Sequence, residues 1–302
     1  MNSRRTDPKP TVDLPEVTLS EHDGVRYLHL GTPWVQGAYR PSKPRLIELE
    51  YIQRMLSALL WLPTEWLQMP EGHSRHAVQL GLGAATLTRF TLNDLGWKTT
   101  AVELNPQVVL ACRGFFALPM NHPRLSVELA DAGAWVCAAE HAGCAHLLHV
   151  DLYDHQAAAP VLDSPEFYAD CRNLLTDIGV MSVNLFGRSH QFERSLSHIV
   201  QAFQGGGVWT FKPTREGNTV VLAARNPREH SRATLLAQAE EIERVGNGIG
   251  VERGKTVEQF AGRQAGARRR LGTAQTGTAR EERGAVDVHD GAVVYEMGGK
   301  SW

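Results

Sequence analysis

The segment from His76 to Asn105 constrains the fold more than any other part of the sequence. A short apolar run ends in Gly81-Leu-Gly83, a helical pattern follows, and a second apolar run ends in Glu103. This order is typical of a nucleotide-binding βαβ unit, in which glycines let the backbone turn tightly and approach a ligand. A carboxylate about twenty positions beyond the glycines accepts hydrogen bonds from both ribose hydroxyls. The segment therefore predicts a nucleoside site at Gly81, Gly83 and Glu103.

Length and composition exclude several classes of protein. The chain has 302 residues and a formal net charge of −2, so it can bury a large core and gives no reason to expect nucleic acid or an anionic membrane as partner. The absence of a long apolar stretch and of a leader-like N-terminus favours the cytoplasm. Cys112, Cys137, Cys144 and Cys171 show no Cys-x-x-Cys spacing, so we expect buried thiols, no disulfide and no metal.

The N-terminal region predicts a small β-appendage. Residues Val17 to Leu30 read as two strands around Asp23-Gly24, which supplies the positive-φ position of a tight hairpin. A loop is expected from Gly31 to Arg40, and Pro44 opens a run of apolar residues at helical spacing, which we interpret as packing. The expected division is 1–16 as a flexible terminus, 17–43 as the hairpin appendage, 44–245 as a Rossmann-like nucleoside-binding catalytic domain, and 246–302 as a tail.

Beyond His76, apolar runs alternate with helical patterns, which predicts a parallel sheet with helices on both faces. The predicted strands are His76–Leu80, Thr99–Glu103, Leu125–Leu129, His146–Val150 and Gly179–Asn184. Asn105-Pro106 and Ser164-Pro165 each place a cap residue before a proline and so mark helix starts, and Ser189–Phe203 is a further helical pattern.

Two last strands, Gly206–Lys212 and Asn218–Ala224, are joined through hairpin chemistry. Among known folds, an antiparallel pair that closes a mostly parallel doubly wound sheet is typical of S-adenosylmethionine-dependent methyltransferases. Nicotinamide dehydrogenases lack it. The fold class expected is therefore α/β, methyltransferase-like, with a C-terminal antiparallel hairpin and the small N-terminal β-appendage.

Carboxylates follow the later strands, at the edge where ligands of such sheets bind. Asp131 follows the third strand, where it would meet an adenine or simply cap a helix over Ala132–Glu140, and the two roles are compatible. Asp151 and Asp154 follow the fourth strand. In a loop such a pair is usually solvated, but beside a nucleoside pocket it would bind a cationic amine and supply a base to deprotonate it.

These segments, in this order, resemble the spermidine synthase (polyamine aminopropyltransferase) family, of which the chain looks like a divergent member. The resemblance runs from about Val17 to about Val245. The matching segments are Val35-Gln36, Gly81-x-Gly83, Ala101-Val-Glu103-Leu-Asn-Pro106, Asp131-Ala132, Asp151-x-x-Asp154 and Ser164-Pro-Glu-Phe-Tyr168.

The resemblance implies roles for individual residues. Decarboxylated S-adenosylmethionine, or S-adenosylmethionine itself, would be the co-substrate, with Glu103 on its ribose and Asp131 with Ala132 on its adenine. Asp151 would deprotonate the attacking amine. The amine would be held by Asp154, Tyr153 and Gln36. The expected partner is a small-molecule amine, with neither nucleic acid nor membrane, and a homodimer is allowed.

Two departures from the family pattern leave other functions open. The family carries an aspartate just after the position of Gly83, where this chain has Ala84, and its acidic Asp-Glu-x-x-Tyr segment is replaced by Pro41-Ser-Lys-Pro-Arg45. The acidic lining for a polyamine is thus thinned. A methyltransferase that uses S-adenosylmethionine itself, and a non-catalytic nucleoside-binding descendant, are the alternatives.

The sequence changes character after Val245. The stretch Gly246–Trp302 is rich in glycine and polar residues and has few large apolar ones. Such a segment buries too little apolar surface to offset its ordering entropy, which predicts disorder for most of it. A disordered tail and an altered reading frame both fit this stretch.

Overall fold

The computed structural model describes residues 14–67, 75–152, 162–186, 190–228, 231–246 and 293–297. Two of the expected amine-binding residues, Tyr153 and Asp154, lie outside these ranges. Most of the predicted tail also lies outside them, so its disorder stays a prediction. Within it, the described residues Val293–Met297 form a strand. The domain boundaries likewise remain predictions.

The N-terminal residues form a three-stranded antiparallel sheet. Its strands are β1 (Val17–His22), β2 (Val25–Leu30) and β3 (Gly37–Tyr39). The hairpin of β1 and β2 is confirmed, and Asp23 and Gly24 both have positive φ. The expectation of a loop throughout Gly31–Arg40 is wrong at β3. All three residues of β3 are buried, and a strand so short has no periodicity to reveal it.

The main sheet is the predicted doubly wound one. Its strands are β4 (His76–Leu80), β5 (Lys98–Glu103), β6 (Leu125–Leu129), β7 (Ala145–Val150), β8 (Leu175–Phe186), β9 (Gly207–Phe211), β10 (Asn218–Ala224) and β11 (Val293–Met297). Their order is β11-β9-β10-β8-β7-β4-β5-β6. Strands β4 to β8 are parallel, whereas β9 and β10 form the predicted antiparallel hairpin against β8.

The strand order reverses between β4 and β7. From β4 the chain adds β5 and β6 on one side, and it then returns to place β7 and β8 on the other. The backbone N–H of Asp151, just past β7, donates to the carbonyl of Leu80 at the end of β4 over 2.9 Å. Ligands of open α/β sheets bind at such a switch point, so Asp151 stands where a ligand is expected.

The helices are α1 (Glu50–Met55), α2 (Thr86–Arg89), α3 (Pro106–Phe115), α4 (Ala132–Val136), α5 (Pro165–Leu174), α6 (His190–Ala202) and α7 (Arg232–Gly246). The two predicted caps are confirmed: the side chains of Asn105 and Ser164 accept the N–H groups of Gln107 and Phe167. Separate apolar clusters cover the two faces of the main sheet, as predicted.

Two helix predictions need correction. The helix expected from Pro44 begins only at Glu50, because side chains hold the preceding stretch in turns: Arg89 donates to the carbonyl of Pro44. The helix expected over Ala132–Glu140 ends at Val136 and gives way to a short 3₁₀ turn over Ala139–His141.

The expectation for the cysteines holds only in part. All four thiols are free, and Cys112 and Cys171 are buried. Burial raises the pKa of both thiols, which makes them poor nucleophiles. Cys137, however, is exposed, because it follows α4 directly and lies on its solvent side.

Candidate active site

Every predicted site residue that the structure describes lines one cleft at the carboxyl ends of β4, β5 and β7. They are Gln36, Gly81, Gly83, Glu103, Asp131, Ala132 and Asp151. They end or follow strands β4 to β7 of the main sheet, except for Gln36, which lies just before β3 of the N-terminal sheet. The cleft therefore has the position that the topology predicts for a ligand site.

The glycine loop follows β4 and forms one wall of the cleft. Gly81 has φ +83° and Gly83 has φ +50°, values that L side chains rarely adopt. A methyl group on Gly81 would lie 2.2 Å from the carbonyl oxygen of Asp151. Glycine is therefore required at position 81 both by its positive φ and by the close approach of the backbone that follows β7.

Glu103 ends β5 on the opposite side of this loop. Its carboxylate accepts the backbone N–H of Leu82 over 2.9 Å and that of Asn105 over 2.8 Å. Removal from water raises the pKa of Glu103, and these two donors partly oppose the rise. The side chain is thus held in one orientation, with lone pairs left to accept two ribose hydroxyls.

Asp131 precedes α4 and is exposed at the cleft. One of its carboxylate oxygens accepts the N–H of Ala134 over 2.8 Å, which confirms the capping role. Asp131 and the buried Ala132 both line the cleft. An adenine contact is compatible with this cap and stays a prediction.

Asp151 is held by side chains from two other elements. The hydroxyl of Tyr51 on α1 donates to one carboxylate oxygen over 3.2 Å, and the amide of Asn184 on β8 donates to the other over 2.9 Å. Removal from water raises the pKa of Asp151, and the two hydrogen bonds work against that rise. A half-buried carboxylate with a raised pKa is suited to accept a proton near neutral pH.

The sequence alone did not identify Tyr51 or Asn184 as site residues. Tyr51 lies in the segment whose apolar stripe was interpreted as packing, without being part of that stripe, and Asn184 is a polar residue near the end of a strand. The position of Asn184 is a usable signal, because the carboxyl ends of neighbouring parallel strands meet at one edge. No comparable signal exists for Tyr51, since its contact spans 100 positions of sequence.

The N-terminal sheet closes the cleft from above. Gln36 precedes β3, and its carbonyl oxygen would lie 3.0 Å from a methyl group on Gly83. The next residue, Gly37, packs directly on Ala84: a methyl group on Gly37 would lie 2.4 Å from the Cβ of Ala84. The appendage and the glycine loop are thus in van der Waals contact over the nucleoside half of the site.

The described ranges contain neither a candidate metal centre nor a membrane-spanning helix. They hold no group of three or more histidine, cysteine, aspartate or glutamate side chains arranged to bind a metal ion. None of their helices is long and apolar enough to cross a membrane.

Comparison with known proteins identifies relatives over most of the chain. The chain is 28% identical over 263 residues to a polyamine aminopropyltransferase of Chromobacterium violaceum, which covers 86% of the chain and 95% of the relative. It is 27% identical over 231 residues to the polyamine aminopropyltransferase of Neisseria meningitidis serogroup A, which covers 76% of the chain and 84% of that protein. The chain is distantly similar to the polyamine aminopropyltransferases over most of its length.

Solved structures place the chain in the expected fold class. A probable spermidine synthase of Corynebacterium glutamicum superposes with a TM-score of 0.61 at 15% identity, over 80% of this chain and 95% of that one. Human methyltransferase-like protein 13, solved in complex with SAH, gives a TM-score of 0.55 at 20% identity, over 66% and 93% of the two chains. No family model matches the sequence.

Proposed function

We propose that the protein transfers an aminopropyl group from decarboxylated S-adenosylmethionine to an amine and releases 5′-methylthioadenosine. The observation that carries this proposal is one cleft at the switch point that is lined by Glu103, Asp131 and the half-buried Asp151. Distant similarity to polyamine aminopropyltransferases supports the reaction class.

The proposed mechanism assigns each of these groups a task. Glu103 binds the ribose hydroxyls and Asp131 the adenine side of the nucleoside, which fixes the sulfonium and its reactive methylene. An ammonium has no lone pair, so Asp151 first accepts a proton from the amine. The amine nitrogen then forms a bond to the methylene as the carbon–sulfur bond breaks, and the bonding pair leaves with sulfur as the neutral thioether. Alignment of the two reactants supplies most of the rate.

The acceptor side of the proposal includes Asp154, Tyr153 and Gln36. Of these, Gln36 lines the cleft, whereas the other two lie outside the described residues. Asp154 would add a second carboxylate for the amine.

The reaction is tested by incubating purified protein with decarboxylated S-adenosylmethionine and putrescine, spermidine or related diamines. Release of methylthioadenosine that depends on the amine is the expected result. Nucleoside binding without turnover on any amine or methyl acceptor would instead favour a non-catalytic descendant.

Methyl transfer from S-adenosylmethionine is the second candidate, and Ala84 is the observation in its favour. Ala84 is buried against Gly37 at the place where the family pattern has an aspartate. The site therefore lacks one carboxylate that would repel the carboxylate of S-adenosylmethionine. Calorimetry with the two nucleosides separates the candidates: tighter binding of the decarboxylated form supports aminopropyl transfer, and tighter binding of the carboxylated form supports methyl transfer.

Replacing Glu103 with glutamine is expected to weaken nucleoside binding about tenfold. The amide keeps the shape but loses the charge-assisted acceptor, a difference of roughly 1.5 kcal/mol. Because these contacts are the same in ground and transition states, turnover at saturating nucleoside should change little. Calorimetry and steady-state kinetics measure the two effects. A large loss of turnover with unchanged affinity would contradict the role given to Glu103.

The pH dependence of turnover should show the raised pKa of Asp151. The base acts only when ionised, and removal from water raises its pKa, so activity is present above this pKa and is lost as pH falls through it. We expect the acid limb of kcat, measured with both substrates saturating, to lie above pH 4, where an unperturbed aspartate titrates at about 3.9. An acid limb at the ordinary aspartate value would exclude Asp151 as the titrating base.

A further inference from the structure

The hydrogen bonds around Asp151 continue beyond its immediate neighbours into the C-terminal hairpin. Asn184 donates to Asp151 through its side-chain nitrogen. The side-chain oxygen of the same amide accepts a hydrogen bond from the side-chain nitrogen of Asn218 over 3.1 Å. Asn218 is the first residue of β10 and lies opposite Phe186, beyond Asn184 on β8.

The direction of this chain of hydrogen bonds follows from its end point. An ionised carboxylate only accepts hydrogen bonds, so Asn184 must turn its NH₂ group toward Asp151. Its oxygen then faces Asn218, which must present an NH₂ group in turn. Asn184 is 4% exposed, so water competes weakly for either position. The orientation of this buried amide is thus supported from both sides, by the Asp151 carboxylate and by a donor in the neighbouring strand.

The hairpin turn holds Asn218 in place through its backbone. The N–H of Asn218 donates to the hydroxyl of Thr214 over 3.1 Å, and the carbonyl of Asn218 accepts the N–H of Thr214 over 2.7 Å. Thr214 is 2% exposed. The backbone of Asn218 is therefore fixed independently of its side chain, which leaves the side chain available to orient Asn184.

We propose that Asn218 is a positioning residue, which fixes the amide orientation of Asn184 and thereby holds the Asp151 carboxylate ready to accept a proton. The expected effect of Asn218 on turnover rests on the proposed function, in which Asp151 is the base. Among the described residues, the titratable group in contact with Asp151 is Tyr51 on α1. Its hydroxyl donates to the carboxylate oxygen that Asn184 does not contact. Asn218 accordingly acts on one oxygen of the base and Tyr51 on the other.

The test is Asn218→Asp, which keeps the size of the side chain and removes its ability to donate. The NH₂ group of Asn184 should then turn toward the new carboxylate and leave its oxygen facing Asp151. We expect kcat near neutral pH to fall about 10–100-fold, with KM for the nucleoside unchanged, and the acid limb of kcat to move up by about one pH unit. Asn218→Ala, which adds no charge, should shift the limb in the same direction by less.

The matched control is Asn226→Asp, which makes the same change in an exposed residue just past the other end of β10. Asn226 donates to the carbonyl of Asp177 near the start of β8, at the opposite edge of the sheet from Asp151, so its pH profile should match that of the parent. Unfolding midpoints of all variants show whether a loss of turnover reflects a loss of fold.

A second measurement separates this inference from the proposed function. In protein labelled with ¹³C at the aspartate carboxyls, the Asp151 resonance is assigned by its absence in Asp151→Asn and is followed through pH. A higher titration midpoint in Asn218→Ala, which adds no charge, than in Asn226→Asp supports the positioning role even if no amine is turned over. Equal midpoints in the two variants and the parent would overturn it, whatever the reaction is.

Discussion

Asp151→Asn is expected to lower turnover by about 10²–10⁴-fold, the range typical of removing a general base. The asparagine keeps the shape of the side chain and can still accept from Tyr51, but it cannot accept a proton from the amine. The variant leaves the proposed nucleoside contacts of Glu103 and Asp131 unchanged, so nucleoside affinity should stay within a few-fold of the parent. Single-turnover kinetics under saturating nucleoside, together with calorimetry, measure the two quantities.

The matched control for this variant is Asp94→Asn. The Asp94 side chain is 7% exposed, and removal from water raises its pKa as it does for Asp151. Its partner is Arg45, and it lines a different cavity. Both variants should lose some stability, but only Asp151→Asn should lose turnover. Equal turnover in Asp151→Asn and the parent would remove Asp151 from the mechanism.

Gly81→Ala is expected to lower both stability and turnover. The alanine would have to adopt φ +83°, and its methyl group would lie 2.2 Å from the carbonyl oxygen of Asp151. Since that neighbour is backbone, the ends of β4 and β7 must move apart. We expect the free energy of unfolding to fall by about 2–4 kcal/mol. A displacement of Asp151 on the order of 1 Å should also lower turnover by about 10²-fold.

Gly96→Ala separates the cost of the positive φ from the cost of the clash with Asp151. Gly96 has φ +68°, and a methyl group on it would have no neighbour within 4 Å. It should therefore show the cost of the left-handed conformation alone, about 1–2 kcal/mol, and leave turnover unchanged. Denaturant unfolding and steady-state kinetics on both variants provide the comparison. If Gly81→Ala matched Gly96→Ala in stability and activity, the contact between the glycine loop and Asp151 would have no importance.

The sequence predicted the parts of the fold that rest on local patterns. His76–Leu80 and Leu125–Leu129 were predicted to the residue. The first is a fully buried central strand, and the second is a partly exposed edge strand in which apolar and polar residues alternate. The starts of α3 and α5 followed from a cap residue and a proline. The helix expected from Pro44 failed because Arg89, 45 positions later, takes the carbonyl that a first helical turn would use.

The candidate site divides in the same way. Gly81, Glu103 and Asp151 could be found because topology brings the ends of their strands to one edge. Tyr51 and Asn218 could not, because each reaches the site from an element outside the βαβ units, and only the packed structure shows which way its side chain points. For finding site residues from sequence, a polar residue near the carboxyl end of a predicted strand is therefore a better guide than the periodicity of the element that carries it.

The contact of Gly37 with Ala84 bears on the order in which the protein can fold. During synthesis the N-terminal sheet leaves the ribosome before the glycine loop exists, so the surface that closes the cleft is made before the cleft. Gly37 contacts Ala84, which lies 47 positions later in the chain. Forming this contact closes a loop of that length, and the entropy lost is not offset by contacts between residues near in sequence. The nucleoside loop therefore takes its final shape late, when the first strands of the chain and the centre of the main sheet come together.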